Sequence, residues 1–238
     1  MQNNQTRIIA EIGCNHGGQI GLATDMARAA LEAGADFIKF QMFDSHRLAL
    51  QRGELADEEA LSRYEFHPDT WTHVLRVIPR EKRLMTVFDP PSIHRAILLG
   101  CDNLKLSHVE SRNPNLCFMV RSLAHAAYCS MSYSKDSILP PFDDDHVLIT
   151  IPEYPCTQED SAKAIEMARL RGWGYSDHTG PTLDAALSAI RLGLNLVEIH
   201  VHMDDCKGCI DHAVSKSMTQ LKELCTIVKD PNTCELAF

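Results

Sequence analysis

The run Leu22-Ala23-Thr24-Asp25-Met26-Ala27-Arg28-Ala29-Ala30-Leu31-Glu32-Ala33-Gly34-Ala35-Asp36-Phe37-Ile38-Lys39-Phe40-Gln41 decides the fold. Leu22, Met26, Ala30 and Ala33 recur at helical spacing, and Gly34 stands where a helix ends on a left-handed residue. Phe37–Gln41 then reads as a short strand, apolar but for Lys39 and Gln41, of the kind a parallel sheet buries on both faces. A helix, a tight turn and a buried strand make one step of a βα repeat, and the step recurs along the chain in both directions.

Further expected strands are 7–11, 84–87, 103–106, 128–132, 146–151, 172–175 and 196–200. Helical spacing marks 69–78, 91–99, 114–126, 161–170, 183–192 and 216–228. Two connections break the rhythm. His46 to His67 is long and polar and is expected to cross the barrel mouth, and Ser134 to Asp145, with Pro140 and Pro141, is too short and Pro-rich for a full helix. The sequence therefore predicts an α/β chain, a (β/α)8 TIM barrel with a degenerate fifth helix, and one domain over residues 1–238. The length fits, since such barrels need about 250 residues.

Composition narrows the function classes. Lys and Arg number 23 against 32 Asp and Glu, a net charge of 23 − 32 = −9, and no basic run is present to neutralise a nucleic-acid backbone. No stretch has the roughly 18 apolar residues of a membrane span, and Met1–Gln5 leads into no signal-peptide apolar core. Nine cysteines, an odd number scattered through core-like segments, read as reduced thiols in a cytoplasmic protein.

The strand ends of a parallel barrel converge on one face, where catalytic groups sit. Here they carry Glu11, Lys39, Gln41, Thr86, Lys105, Glu110, Ser130, Thr150, Tyr154, Ser176, His178, Glu198, His200 and His202. A lysine inside an apolar strand needs an anion, so Lys39 and Lys105 together point to an anionic ligand, with an internal Lys39–Glu11 pair as the competing reading. His178 and His200 end neighbouring strands beside Glu11, a set suited to one divalent ion with open positions for substrate. Soft ligands are missing from it, which favours an octahedral ion, Mn2+ or else Mg2+ or Co2+, as much as zinc. His202, Cys206, Cys209 and His212 resemble a zinc knuckle. Structural zinc sites bring two separated ligand pairs, however, so two loop thiols near the mouth is the expected reading.

The stretch Ile8-Ile9-Ala10-Glu11-Ile12-Gly13-Cys14-Asn15-His16-Gly17-Gly18 resembles the opening of the sialic acid synthase (N-acetylneuraminate synthase) family. Ala33–Gln41, Glu153-Tyr154-Pro155, Gly174-Tyr175-Ser176-Asp177-His178-Thr179, Glu198-Ile199-His200 and Asp211-His212-Ala213 with Ser215 follow the family's order. The resemblance implies condensation of phosphoenolpyruvate with an aldose such as N-acetylmannosamine, assisted by a manganese-like ion. It implies His178 and His200 as metal ligands, and Lys39, Lys105 and Ser176 as phosphoenolpyruvate ligands. Glu11 falls beside the metal, and Gln41, Glu110, Tyr154 and Asp211 fall at the sugar side. Glu11, Lys39, Lys105 and His178 are the expected catalytic residues, with Thr86 and Ser130 completing the substrate-binding set.

There are departures. The family's fourth-strand serine falls at His108, its fifth-strand motif reads Ser130-Met131-Ser132-Tyr133, and Ile199 replaces a common lysine. The expectation is a barrel domain alone, lacking the C-terminal antifreeze-like domain that in the family contributes an arginine to a partner's sugar pocket. That leaves a homodimer, or a partner supplying the domain, as the expected assembly. An altered acceptor sugar follows from the weaker match at the sugar end. The alternatives are another metal-dependent barrel aldolase or hydrolase, and a non-catalytic barrel subunit.

Overall fold

A computed structural model of the chain describes residues 5–133, 140–142, 146–206 and 208–230. Eight parallel strands close into a barrel: β1 (Arg7–Gly13), β2 (Phe37–Met42), β3 (Arg83–Val87), β4 (Asn103–Leu106), β5 (Ala126–Ser132), β6 (Val147–Thr150), β7 (Gly174–Asp177) and β8 (Leu196–His202). Each pairs with the next, and β1 pairs with β8 to shut the ring. A two-residue strand, β9 (Lys216–Ser217), adds to β8.

The helices are α1 (Ile20–Ala33), α2 (Ser45–Arg52), α3 (Glu58–Ser62), α4 (Pro68–Leu75), α5 (Pro90–Leu98), α6 (Pro114–Leu123), α7 (Gln158–Arg171), α8 (Asp184–Arg191) and α9 (Met218–Lys229). Gly34 closes α1 at φ 99°, its N–H reaching the carbonyls of Ala30 and Leu31. Helix ends differ from the periodicity where caps or strands take over. Asn113 caps α6 at its start, and α6 stops at Leu123 because Ala126 already pairs in β5. Residues 216 and 217 join the sheet before Ser217 caps α9 in a capping box with Gln220. No helix among the described residues is long and apolar enough to cross a membrane.

The polar connection from His46 to His67 is not an open excursion. It folds as α2 and α3, because Asp44 accepts from the Arg47 amide to start α2 and Gly53 ends it at φ 74°. Its return runs against the β1–α1 turn, where a Cβ on Gly18 would lie 2.1 Å from Arg63 O. Of the connection expected to hold a degenerate fifth helix, 134–139 and 143–145 lie outside the described residues, and 140–142 form no helix.

The core lies in two shells. The larger packs the outward strand faces against the helices, while Ile9, Phe37, Leu84, Tyr128, Leu148 and Leu196 fill the barrel's interior. Side chains alternate along a strand, so the residue two positions on from each plug also faces inward, one layer nearer the C-terminal mouth. Those residues are Glu11, Lys39, Thr86, Ser130, Thr150 and Glu198. An apolar floor thus carries a polar layer above it.

Candidate active site

Register brings that polar layer together. Glu11 pairs with Lys39 on one side and His200 on the other, Thr86 with Gln41 and with Lys105, and Ser176 with Thr150 and Glu198. At its centre is Glu198. Lys105 Nζ lies 2.7 Å from both of its oxygens, Lys39 Nζ is 3.0 Å from Oε2, and Ser176 Oγ donates to Oε1 at 2.8 Å. Lys39 also reaches Glu11 Oε2 at 3.4 Å, and Gln41 Nε2 donates to Glu11 Oε1 at 2.8 Å. The internal partner of Lys39 is therefore chiefly Glu198, with Glu11 second, and Lys105 shares it. Glu198 stood among the strand-end residues without a role; its spacing of two from Leu196 and from His200 was the signal that it faces the lysines.

Electrostatics follow from burial and charge. Burial opposes ionisation of Glu198, but Lys105 and Lys39 overcome it and hold the carboxyl well below its ordinary range. Burial raises Glu11, with Lys39 opposing, so this carboxyl keeps its proton to higher pH than usual. Burial lowers Lys105 to about 8, with Glu198 working the other way. Lys39, pulled down by burial, is carried above its ordinary value by Glu11 and Glu198.

Above this layer the two histidines meet. The rings of His178 and His200 have centroids 5.4 Å apart, and the Tyr154 hydroxyl lies 3.0 Å from Nε2 of the first and 3.4 Å from Nε2 of the second. His178 Nδ1 donates to Ile151 O at 2.6 Å, and His200 Nδ1 stands 3.2 Å from Asp211 Oδ2. The bond to Ile151 O puts the His178 proton on Nδ1, and the Nε2 atoms of both rings face the Tyr154 hydroxyl. Burial, with His200 beside it, holds His178 far below its ordinary value and so neutral. This is the donor arrangement that metal-binding imidazoles use, including the outer carbonyl and carboxylate that orient them. The residues fit a divalent ion held by two protein ligands. Among the described residues no group of three or more His, Cys, Asp or Glu is arranged to hold a metal, which applies to the knuckle-like cysteine loop too.

The rim is loop-borne. The Asp211 amide donates to Asn15 Oδ1 at 2.9 Å, and Asn15 Nδ2 reaches Val201 O and Ser215 Oγ, both at 2.9 Å, so the β1–α1 turn clasps the loop after β8. Gly13, at φ 52°, leaves open the space where a Cβ would meet Glu11 Oε1, Gln41 Nε2 and Asp211 Oδ2 within 3.5 Å. Glu110 is buried and bonded to Ser107, but its Oε1 has no hydrogen-bond partner, and neither has the buried Thr86 Oγ1. Ser130 is buried on β5 outside the charged network. His16 faces elsewhere: it accepts from the Gly18 amide and stacks on Phe66 at 4.3 Å. His202 stacks on His212, clear of the other two histidines.

Fold and site together define a class by likeness: the chain is a (β/α)8 barrel that resembles the sialic acid synthases. The model of the NeuB family matches residues 144–234, which bears out the resemblance read from the motifs. The chain is 27% identical to N,N'-diacetyllegionaminic acid synthase of Legionella pneumophila, over 95% of this chain and 72% of that protein. It is 28% identical to the spore coat polysaccharide biosynthesis protein SpsE of Bacillus subtilis, over 91% of this chain and 65% of that one. The crystal structure of N-acetylneuraminic acid synthetase from Leptospira borgpetersenii, in complex with citrate, superposes with a TM-score of 0.83 at 25% identity, covering 99% of this chain and 86% of that one.

Proposed function

We propose that the barrel condenses phosphoenolpyruvate with an aldose, an N-acetylmannosamine-like hexosamine, to give a 3-deoxy 2-keto sugar acid and inorganic phosphate. The observation that carries the reading is the convergence of two buried lysines, Lys39 and Lys105, on one layer at the barrel's C-terminal end. They share Glu198 as a partner, and the buried Thr86 hydroxyl on the same layer has none. Two ammonium groups and free hydroxyl capacity on one layer are the donor set a carboxylate or phosphate needs. Phosphoenolpyruvate brings a carboxylate and a phosphate. Thr86 Oγ1 and Ser176 Oγ supply hydroxyls on the same layer.

In the proposed reaction, carbon 3 of phosphoenolpyruvate attacks the open-chain aldehyde of the sugar, water adds at carbon 2, and the carbon–oxygen bond to phosphate breaks as the keto group forms. Lys39 and Lys105 neutralise the anion and hold the enol. Glu11, with its raised pKa and its place between Lys39 and Gln41, exchanges the proton of the attacking water. Tyr154, Gln41, Asp211 and Glu110 are assigned to orient the acceptor's hydroxyl and acyl groups. A divalent ion, Mn2+ by its fit to hard and imidazole donors, would be held by His178 and His200 and would supply Lewis-acid polarisation of the acceptor carbonyl. The described cysteines are all unpaired, in keeping with a cytoplasmic setting.

The test is phosphate release from phosphoenolpyruvate with Mn2+ and a panel of N-acylated hexosamines and other aldoses. Acceptor-dependent release that His200→Ala abolishes supports the proposal. Binding of neither phosphoenolpyruvate nor Mn2+ by calorimetry, with no release from any acceptor, overturns it.

A further inference from the structure

One buried ion pair is not used by the proposed reaction. Lys216, the first residue of β9, is 0% exposed, and its ammonium stands 2.9 Å from Oδ2 of Asp177, the equally buried last residue of β7. Lys216 Nζ also donates to Val214 O at 3.1 Å and to Thr179 O at 3.4 Å. Asp177 Oδ1 accepts from the Thr179 amide at 2.8 Å and from its hydroxyl at 2.7 Å. In register Lys216 pairs with Val201 of β8 and Asp177 with Ile199, so the ion pair bridges the seam where β7 and β8 end.

Both partners lead directly to an imidazole. Asp177 is followed by His178, whose carbonyl accepts from the Cys156 amide at 2.9 Å. Lys216 follows Ser215, whose hydroxyl donates to Asp211 O at 2.7 Å and accepts from Asn15 Nδ2 at 2.9 Å. The Val214 amide donates to the same Asp211 carbonyl at 3.1 Å. The turn from Asp211 to Lys216 is thus bonded to itself, and the Asp211 carboxylate at its start stands 3.2 Å from His200 Nδ1. One end of the pair anchors His178, and the other anchors the arm that faces His200.

Stability does not account for such a pair. Desolvation offsets the attraction of two buried charges, so apolar residues of the same volume often serve as well, and the best-attested use of a buried polar pair is to fix register. Here the register fixed is that of the β7 end against β9.

We propose that Asp177 and Lys216 are positioning residues that set the separation and aim of His178 and His200. The inference rests on the reading above in taking those histidines as the holders of the divalent ion. Asp177 acts through its chain neighbour, and Lys216 acts through the Ser215–Asp211 bond.

The variant Asp177→Asn with Lys216→Met removes both charges at nearly constant volume, and its urea midpoint is expected to stay close to that of the wild type. Mn2+ titrated calorimetrically is expected to bind it about tenfold more weakly, the scale on which partners that orient metal-binding imidazoles act. In the metal-free proteins, imidazole nitrogen NMR reads the same positioning. The wild type is expected to hold His178 in the single Nδ1–H form that its bond to Ile151 O requires, and the variant to show both tautomers. Asp177→Asn alone, which leaves Lys216 its two carbonyl partners, is the milder variant to use if the double one does not fold, and it should move both readouts in the same direction. A folded variant with wild-type Mn2+ affinity and a single His178 tautomer overturns the positioning role and leaves the pair a structural one. A wild-type protein that binds no Mn2+ counts against the reaction proposed above, and the His178 tautomer then decides this inference by itself.

Discussion

The floor and the rim of this pocket are held on different terms. On the floor, Lys39, Lys105, Ser176 and Glu198 stand on strands and are bonded to one another, with Glu198 as the shared partner. On the rim, Tyr154, Asp211 and Glu110 stand on connections, held by other connections, and the Glu110 Oε1 atom is left unpartnered. The floor's charges are therefore committed before any ligand arrives, and the rim's polar groups are not. Stability should depend on the floor, and selection of the acceptor on the rim.

The sharpest way to break that comparison is to remove the floor's common anion. Glu198→Ala strands two buried lysines, and a buried pair broken on one side costs about 3–5 kcal/mol. Asp211→Ala on the rim should cost no more than about 1–2 kcal/mol, since it removes one hydrogen-bonded charge at a partly exposed edge. Urea denaturation of both reads the contrast directly; equal losses would erase the distinction. The same residue sets the acid limb. Because the lysines hold the folded Glu198 below its unfolded value of about 4.5, its contribution is complete above that pH and is lost as pH falls below it.

Next in size is Gly18→Ala. At φ 73° a side chain is strained by about 1–3 kcal/mol, and its Cβ would collide with Arg63 O. The α2–α3 segment should lift from the β1–α1 turn, with faster proteolysis between residues 44 and 65. Protection equal to the wild type would show that the segment does not depend on this contact.

Much of the floor was legible in the sequence because its grammar is local. Period two along Phe37–Gln41 or Leu196–His202 fixes which residues face inward, and the barrel's closure puts Glu11 between Lys39 and His200 without further information. Which carboxylate a lysine chooses was not legible. Lys105 and Glu198 are 93 residues apart, and their meeting depends on how far each side chain reaches across the barrel. The fold of His46 to His67 was missed for a different reason. Asp44 and Gly53 are ordinary capping residues, but the apolar residues between them, Leu48, Ala49 and Leu50, are consecutive and not spaced by a helical turn, so periodicity gave no warning.

A third prediction separates binding from folding at Lys105. Its charge is lost as pH rises through about 8, so the KM for phosphoenolpyruvate should climb by about tenfold per pH unit above that value. Over the same range stability should rise, not fall. The folded Lys105 releases its proton before the unfolded one, whose value is about 10.5, so between the two the folded state binds fewer protons and gains with pH. Opposite slopes for affinity and stability are the signature. Lys105→Arg, which stays charged, should flatten the affinity profile; an unchanged profile would remove Lys105 from the anion site.

The smallest expected effect tests whether the floor has a vacancy in its hydrogen bonding. Thr86 Oγ1 is buried between Gln41 and Lys105 in register and has no partner, which costs the free protein about 1–3 kcal/mol of desolvation. Valine keeps the shape and removes the hydroxyl, so Thr86→Val should stabilise the free protein by about 1 kcal/mol. The same change should weaken phosphoenolpyruvate binding about tenfold, because a ligand oxygen loses its donor. Gain of stability with loss of affinity places the hydroxyl in the ligand's service. If Thr86→Val lowers stability, the hydroxyl already has a partner in the free protein, and the floor is closed on itself in its hydrogen bonds as well as in its charges.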